Sequence, residues 1–354
     1  DWNDLVKAAH DRGMRILLDY VANHISDAHP AFLAARQADG SHRDWFHFDD
    51  WPSRYRGFFD LPSMPIWNTA HPDVRRHLID HALLWLDRGC DGFRLDHANG
   101  PGPSFWAEFR ARVRRQHPEC VLLGEVLDPP DELRAYEGRL DGCLDFILAE
   151  TLRGVFARGD LSMARIATLI DRHYRYFRPG LRLPAFLDNH DMNRFTWLAR
   201  SRPGALRLAA TVLFTLPGPP VLYYGTEVGL GQRAGIGRLE EARLPMPPPG
   251  QGDGFLRSFF RDLIQIRRSR DDFAGDLPVL LACDEVRQVL AYRSRGLVVV
   301  VNQGTHPVPL MGSEWSVGEM VREMVFDTRR GRLPTPEPLR DRAMLPAESA
   351  CILR

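Results

Sequence analysis

Four segments of this 354-residue chain close an apolar run with carboxylate, histidine or arginine side chains: Asp19-Tyr20-Val21-Ala22-Asn23-His24, Gly92-Phe93-Arg94-Leu95-Asp96, Leu122-Leu123-Gly124-Glu125 and Phe186-Leu187-Asp188-Asn189-His190-Asp191. The second reads as a short buried strand whose last residue points into a site, because Gly92, Phe93 and Leu95 alternate with Arg94 and a Gly/Pro cluster follows. A buried carboxylate is costly unless paired, and Arg94, two residues before Asp96 on the same strand face, is its natural partner. A structural ion pair would explain that segment alone. Its recurrence along the chain favours a site. If the strands are parallel neighbours, Asp96, Glu125 and Asp191 converge at one face. Three buried acids cannot all stay ionised, so one would hold a raised pKa and act as a proton donor. A proton-donating acid beside a nucleophilic carboxylate is the pair that cleaves glycosidic bonds.

The elements that must position these groups follow a repeating order of strand, polar loop and helix, which predicts an α/β fold with a parallel sheet. Six strands are expected, at 16–21, 92–96, 121–126, 145–149, 184–189 and 221–225. Helices are expected over 1–11, 73–88, 105–116, 163–176, 204–216 and 255–268. The helix at 73–88 is the best marked, with Pro72 at its first turn, Gly89 at its end and Val74, Leu78, Ala82, Trp85 and Leu86 on one stripe. Chemistry in such folds sits in the loops after the strands. Between Asn23 and Pro72 lies a long excursion rich in aromatics: Trp45, Phe46, Phe48, Trp51, Tyr55, Phe58, Phe59 and Trp67. It reads as a small subdomain whose aromatics mostly form its own core, a few being free to stack on a ligand. After Asp271 short alternating runs predict an all-β C-terminal module of about 80 residues.

Lys+Arg and Asp+Glu both number 46, so the formal net charge is zero, and no basic block points to nucleic acid or an anionic membrane. Five cysteines without a C-x-x-C spacing read as reduced core residues rather than a disulfide or zinc framework. The apolar runs are too short to span a bilayer. These features favour a soluble, cytoplasmic protein, with the compartment left open because the chain reads as starting inside a domain, without its true N-terminus.

The segments DYVANH, GFRLD, LLGEV and FLDNHD, in this order and spacing, resemble the four sequence regions of the α-amylase family of glycoside hydrolases. Gly218 to Glu227 is similar to that family's eighth-strand segment. The resemblance covers residues 1 to about 270 and implies a TIM-type (β/α)8 barrel lacking its first two strand-helix units, with a C-terminal all-β sandwich. Residues 1–24 and 72–270 would form the barrel, 25–71 a subdomain inserted after its third strand, and 275–354 the sandwich. The resemblance implies that Asp96 is the nucleophile, Glu125 the general acid/base and Asp191 the carboxylate that binds ring hydroxyls and stabilises the transition state. Arg94 would hold Asp96 ionised, His24, His190 and Asn189 would line the sugar site, and Asp19 would support it. Asn23 matches a position that binds calcium in many members, so Ca2+ is the one ion implied, as a structural one. The expected partner is an α-glucan or maltooligosaccharide cleaved at α-1,4 or α-1,6 bonds with retention of configuration, and a homo-oligomer is a further expectation.

His97-Ala98-Asn99-Gly100 departs from the Lys-His pair of many starch-degrading members and is closer to the neopullulanase and cyclomaltodextrinase group, as is Met64-Pro65-Ile66-Trp67-Asn68. A glucosyltransferase or isomerase of the same family shares the glycosyl-enzyme and is the alternative within enzymes. Outside them, the alternative is a non-catalytic binding module or inactive fragment, against which all three acids speak. His77 and His81, four apart on a helix, read as solvated or capping. His97 reads equally as core or site, and Asn193 and Arg194 either line the sugar site or start the following helix, the second reading being favoured.

Overall fold

The strand Leu17–Val21 pairs in parallel with Gly92–Asp96, setting Asp19 opposite Arg94 and Val21 opposite Asp96. Gly92–Asp96 pairs with Val121–Gly124 and that strand with Gly142–Cys143, giving a four-stranded parallel sheet in chain order. Glycine is demanded at position 92, where a Cβ would lie 2.1 Å from the Val121 carbonyl oxygen. Two helices cover this sheet. Pro72–Asp87 buries Val74, Leu78, Ile79, Ala82 and Leu86, and starts where the His71 ring accepts from the Asp73 amide. Gly102–Gln116 buries Phe105, Trp106, Phe109 and Val113. The computed structural model describes residues 1–37, 40–177, 180–235, 239–269, 277–310, 321–340 and 342–354. They divide into two compact units, of which the first, Asp1–Leu144 with Gly180–Arg182, contains this sheet.

The aromatic excursion belongs to the same unit. It contributes a short helix, Pro30–Ala35, and a hairpin of Phe48–Asp50 with Arg54–Tyr55. Phe32, Phe46 and Trp67 are buried in its core, with ring centroids 4.9 Å (Phe32 to Phe46) and 4.7 Å (Phe46 to Trp67) apart. His77 packs its ring against Trp45 and Trp67 at 5.3 and 5.6 Å, so it joins the excursion to the helix Pro72–Asp87. His81 is exposed, its ring 2.8 Å from the His77 carbonyl oxygen.

The second unit, Asp145–Pro179 with Leu183–Arg354, holds one parallel pair, Ala185–Phe186 with Pro220–Val221. It also holds the helices Pro203–Thr215 and Gly254–Arg268. Its six-stranded sheet runs in the order Gly331–Pro338, Glu323–Asp327, Ser349–Leu353, Leu297–Asn302, Val289–Ser294 and Val279–Asp284, with antiparallel pairing. Leu290, Tyr292, Val299, Val301 and Ile352 from one face share a single core with Leu206, Leu213, Phe259 and Leu263 of the two helices. The opposite face, with Val289, Ala291, Val298 and Val300, packs on Val308 and Leu345 of a two-stranded ribbon. The expected sandwich is thus a six-stranded sheet with only a small second layer among the described residues, because helices cover its other face.

Two further expectations are corrected. Residues 145–149 are not a strand: the helix Phe146–Leu152 begins there, capped by Asp145 Oδ1 accepting from the Leu148 amide at 2.9 Å. A helix expected across 163–176 is α-helical only at Met163–Thr168 and Tyr174–Tyr176, with a wider π-helical turn at Leu169–His173 between them. The turn carries buried His173, whose Nε2 lies 2.8 Å from Asp145 Oδ2. The expected boundary at 270–275 falls outside the described residues.

Candidate active site

Asp19, Arg94 and Asp96 are brought together by register alone, since parallel pairing sets Asp19 beside Arg94 and the two-residue repeat puts Asp96 on the face of Arg94. One guanidinium then binds three carboxylates. Its Nη1 lies 2.7 Å from Asp19 Oδ1 and 2.6 Å from Asp96 Oδ1, and its Nη2 lies 2.5 Å from Glu125 Oε1. Burial opposes the charge on Arg94, but Glu125, then Asp19 and Asp96, outweigh it and raise its pKa above the ordinary value. Arg94 is therefore a fixed cation throughout the working pH range.

Glu125 follows the strand Val121–Gly124 and is buried. Its amide donates to the Leu95 carbonyl and its carbonyl accepts from the Ala98 amide, while Oε2 accepts from the His97 amide at 3.2 Å. His97 makes that contact from a left-handed backbone, φ +40°. His24 lies against the same cluster: its ring stacks on Phe58 at 4.4 Å with planes 11° apart, and Phe58 packs on the His97 ring at 4.6 Å. Burial lowers the His24 pKa, with Asp96 raising and His97 further lowering it, so its imidazole is biased toward the neutral, hydroxyl-binding form.

Asn23 is buried, with Nδ2 3.3 Å from the His24 ring nitrogen, and its Oδ1 abuts the backbone of Gly100, where a Cβ would sit 2.0 Å away. Among the described residues no group of three or more His, Cys, Asp or Glu is placed to hold a metal.

Asn189, His190 and Asp191 lie in the second unit. Asn189 Oδ1 accepts from the Asp191 amide at 2.9 Å, which fixes the turn. His190 Nε2 stands 3.0 Å from Asp191 Oδ2, and Arg243 Nη2 stands 2.6 Å from Asp191 Oδ1 while its Nε donates to the His190 carbonyl. The expectation of three buried acids is corrected: Glu125 is buried, Asp96 half-buried, and Asp191 exposed on its turn. Arg194 is not just a helix start. It is fully buried over the rings of Tyr223 and Tyr224 at 4.5 and 5.0 Å and donates to the Tyr224 and Ala242 carbonyls. Buried Asp188 accepts from the Phe195 amide and Thr226 Oγ1, with burial pushing its pKa up. Sequence reasoning missed Arg243, which lies in a segment without periodicity and pairs across 52 positions.

Comparison with known proteins gives three findings. A family model described as the alpha amylase catalytic domain matches residues 1–271. Among curated proteins, "Alpha-amylase 2" of Dictyoglomus thermophilum is 33% identical over 85% of this chain and 55% of its own length. "Neopullulanase 2" of Thermoactinomyces vulgaris is 31% identical over 74% of this chain and 46% of its own, and a cyclomaltodextrinase of Geobacillus thermopakistaniensis is 29% identical over 90% and 57%. The chain thus spans about half the length of the curated relatives it matches. Among solved structures, a debranching enzyme of Nostoc punctiforme superposes with a TM-score of 0.84 at 26% identity, covering 99% of this chain and 78% of that one. A cyclic alpha-maltosyl-(1→6)-maltose hydrolase of Arthrobacter globiformis, in complex with maltose, does so with the same score at 25% identity, covering 99% and 78%.

Proposed function

Because the chain belongs to the α-amylase family, we propose that it carries the catalytic carboxylates of a retaining glycoside hydrolase acting on α-1,4 and α-1,6 glucosidic bonds of maltooligosaccharides. The observation that carries this reading is the single guanidinium that holds Asp96 and Glu125 side by side. Asp96 attacks the anomeric carbon while the bond from that carbon to the glycosidic oxygen breaks, and the oxygen leaves with the proton of Glu125. The intermediate is a glycosyl ester of Asp96. Glu125, now a carboxylate, takes a proton from water as the oxygen of that water attacks the same carbon and frees Asp96.

Arg94 serves the two halves unequally. Its contact with Glu125 suits the carboxylate that deprotonates water, whereas the acid form of the first half needs that contact to slacken. Asp191 takes the role of ring-hydroxyl binding and transition-state stabilisation, and His24 and His190 bind hydroxyls of the cleaved residue. Retention calls for nucleophile and acid/base carboxyls about 5 to 5.5 Å apart. The name of one relative, a cyclomaltodextrinase, supports cyclic maltooligosaccharides among the substrates.

The test is chromatography of products from maltoheptaose incubated with the full-length protein and with Asp96→Asn. Shorter sugars from the wild type, and at least about a thousandfold fewer from the variant, are expected. Turnover retained in Asp96→Asn would falsify the nucleophile assignment. Longer sugars beside the shorter ones would place transfer alongside hydrolysis.

A further inference from the structure

The turn that joins Glu323–Asp327 to Gly331–Pro338 in the C-terminal sheet is tied down from several sides. Asp327 Oδ1 accepts from the Arg329 amide at 2.7 Å. Buried Thr328 donates its amide to the Ala350 carbonyl and accepts from the Ala350 amide on Oγ1. Gly331, at φ +81°, comes so close to the helix Gly254–Arg268 that a Cβ would lie 2.5 Å from Asp262 Oδ2. Arg329 and Arg330 are therefore presented from a fixed backbone.

Arg330 grips Glu337 with both nitrogens, Nη1 to Oε1 at 2.7 Å and Nη2 to Oε2 at 3.1 Å, and its Nε lies 3.6 Å from Asp327 Oδ2. That one guanidinium takes up both acids of the neighbourhood. Arg329, Arg340 and Arg342 line the same cavity, of about 810 Å3, and none of them forms an ion pair among the described residues. The rest of its lining is mainly apolar, with Met324, Leu339, Met344 and Pro346. A smaller cavity, of about 370 Å3, adjoins it at Arg329 and is also lined by Arg202, Arg207 and Gln303. Arg207 Nε and Gln303 Oε1 are buried without a hydrogen-bond partner among the described residues.

Across the two cavities six arginines meet three carboxylates, Asp327, Glu337 and Glu348, although the whole chain carries no formal net charge. Guanidinium forks without carboxylates bind phosphoryl oxygens in pairs, and an anion relieves the repulsion of like charges gathered in one cavity. A neutral oligosaccharide offers these cations nothing. A volume within about 300 to 1,000 Å3, with apolar walls beside a few convergent polar groups, is that of a site for a small organic molecule. We propose that this part of the C-terminal sheet binds a nucleoside di- or triphosphate, its phosphates on Arg329, Arg340 and Arg342 and its base against Met324, Leu339 and Met344. None of these residues belongs to the candidate active site, and the site stands independently of the glycosidase reading.

The test is calorimetric titration of the full-length protein, in a phosphate-free buffer, with ADP, pyrophosphate and adenosine. ADP binds at one saturable site, pyrophosphate about tenfold more weakly and adenosine not measurably. Arg329→Gln and Arg342→Gln each weaken ADP binding at least about tenfold. Both arginines are exposed, so both variants fold, and either one suffices for the test. Arg115→Gln removes the same charge from an exposed position on the helix Gly102–Gln116 and changes ADP binding by less than about twofold. Pyrophosphate that binds as tightly as ADP overturns the nucleotide in favour of an inorganic phosphate chain. No saturable binding of ADP, or equal weakening by Arg115→Gln, overturns the site altogether.

Discussion

Arg94 neutralises three carboxylates with one fork, and its removal leaves Asp19, Asp96 and Glu125 facing one another without a counterion. For Arg94→Met, kcat/KM on maltoheptaose falls by about a thousandfold, and stability at pH 7 falls by about 3 kcal/mol, the range for breaking a partly buried pair. Denaturant titrations of Arg94→Met beside Arg94→Lys check the cause: recovery in the Lys variant assigns the loss to charge, and an equal loss in both assigns it to packing. The Arg94 pairing with Asp96 was legible from the sequence because both residues share a strand face two positions apart. The Glu125 arm of the fork depends on a third chain segment, and the Arg243 contact with Asp191 on a fourth, so neither has a local signature.

At the scale of elements, the best-read strands were those whose neighbours constrain them most. Gly92–Asp96 has a partner on each edge and a glycine required by close approach. The apolar run at 144–149 gave no such help: strand and helix are equally apolar there, and the deciding feature is the Asp145 cap. The junction between the aromatic excursion and the helix Pro72–Asp87 leads to a pH effect. Burial, followed by repulsion from His81, His29 and His42 and only partly offset by Asp80, pushes the His77 pKa down from 6.5 to about 4. The unfolded chain therefore binds a proton below its ordinary pKa while the folded chain does not, so stability is lost as pH falls from 6.5 toward 4. In His77→Phe, which keeps the contacts with Trp45 and Trp67, the drop in Tm between about pH 7 and pH 4.5 is smaller by about 2 to 4 °C. An equal drop in both proteins would remove His77 as the source.

For the whole molecule, a formal net charge of zero and the neutral maltooligosaccharide proposed as substrate leave no long-range field to steer binding. Turnover of maltoheptaose then changes less than about twofold between about 10 mM and 0.5 M NaCl. A steep loss with salt would identify the exposed Arg243–Asp191 pair as the sensitive contact. No helix among the described residues is long and apolar enough to cross a membrane. The cysteines at 90, 120, 143 and 351 are buried, in keeping with their reading as core residues.

The C-terminal sheet shares one core with the helices Pro203–Thr215 and Gly254–Arg268, and the Tyr292 hydroxyl meets Thr215 Oγ1 at 2.5 Å across that junction. It is therefore not a detachable appendage. A chain cut before residue 277 would uncover Leu206, Leu213, Phe259 and Leu263 to water, exposing a greasy surface that invites association between copies. Modular exchange between related chains would succeed at a seam that carries both helices along with the sheet, and would fail at the one that sequence composition suggests.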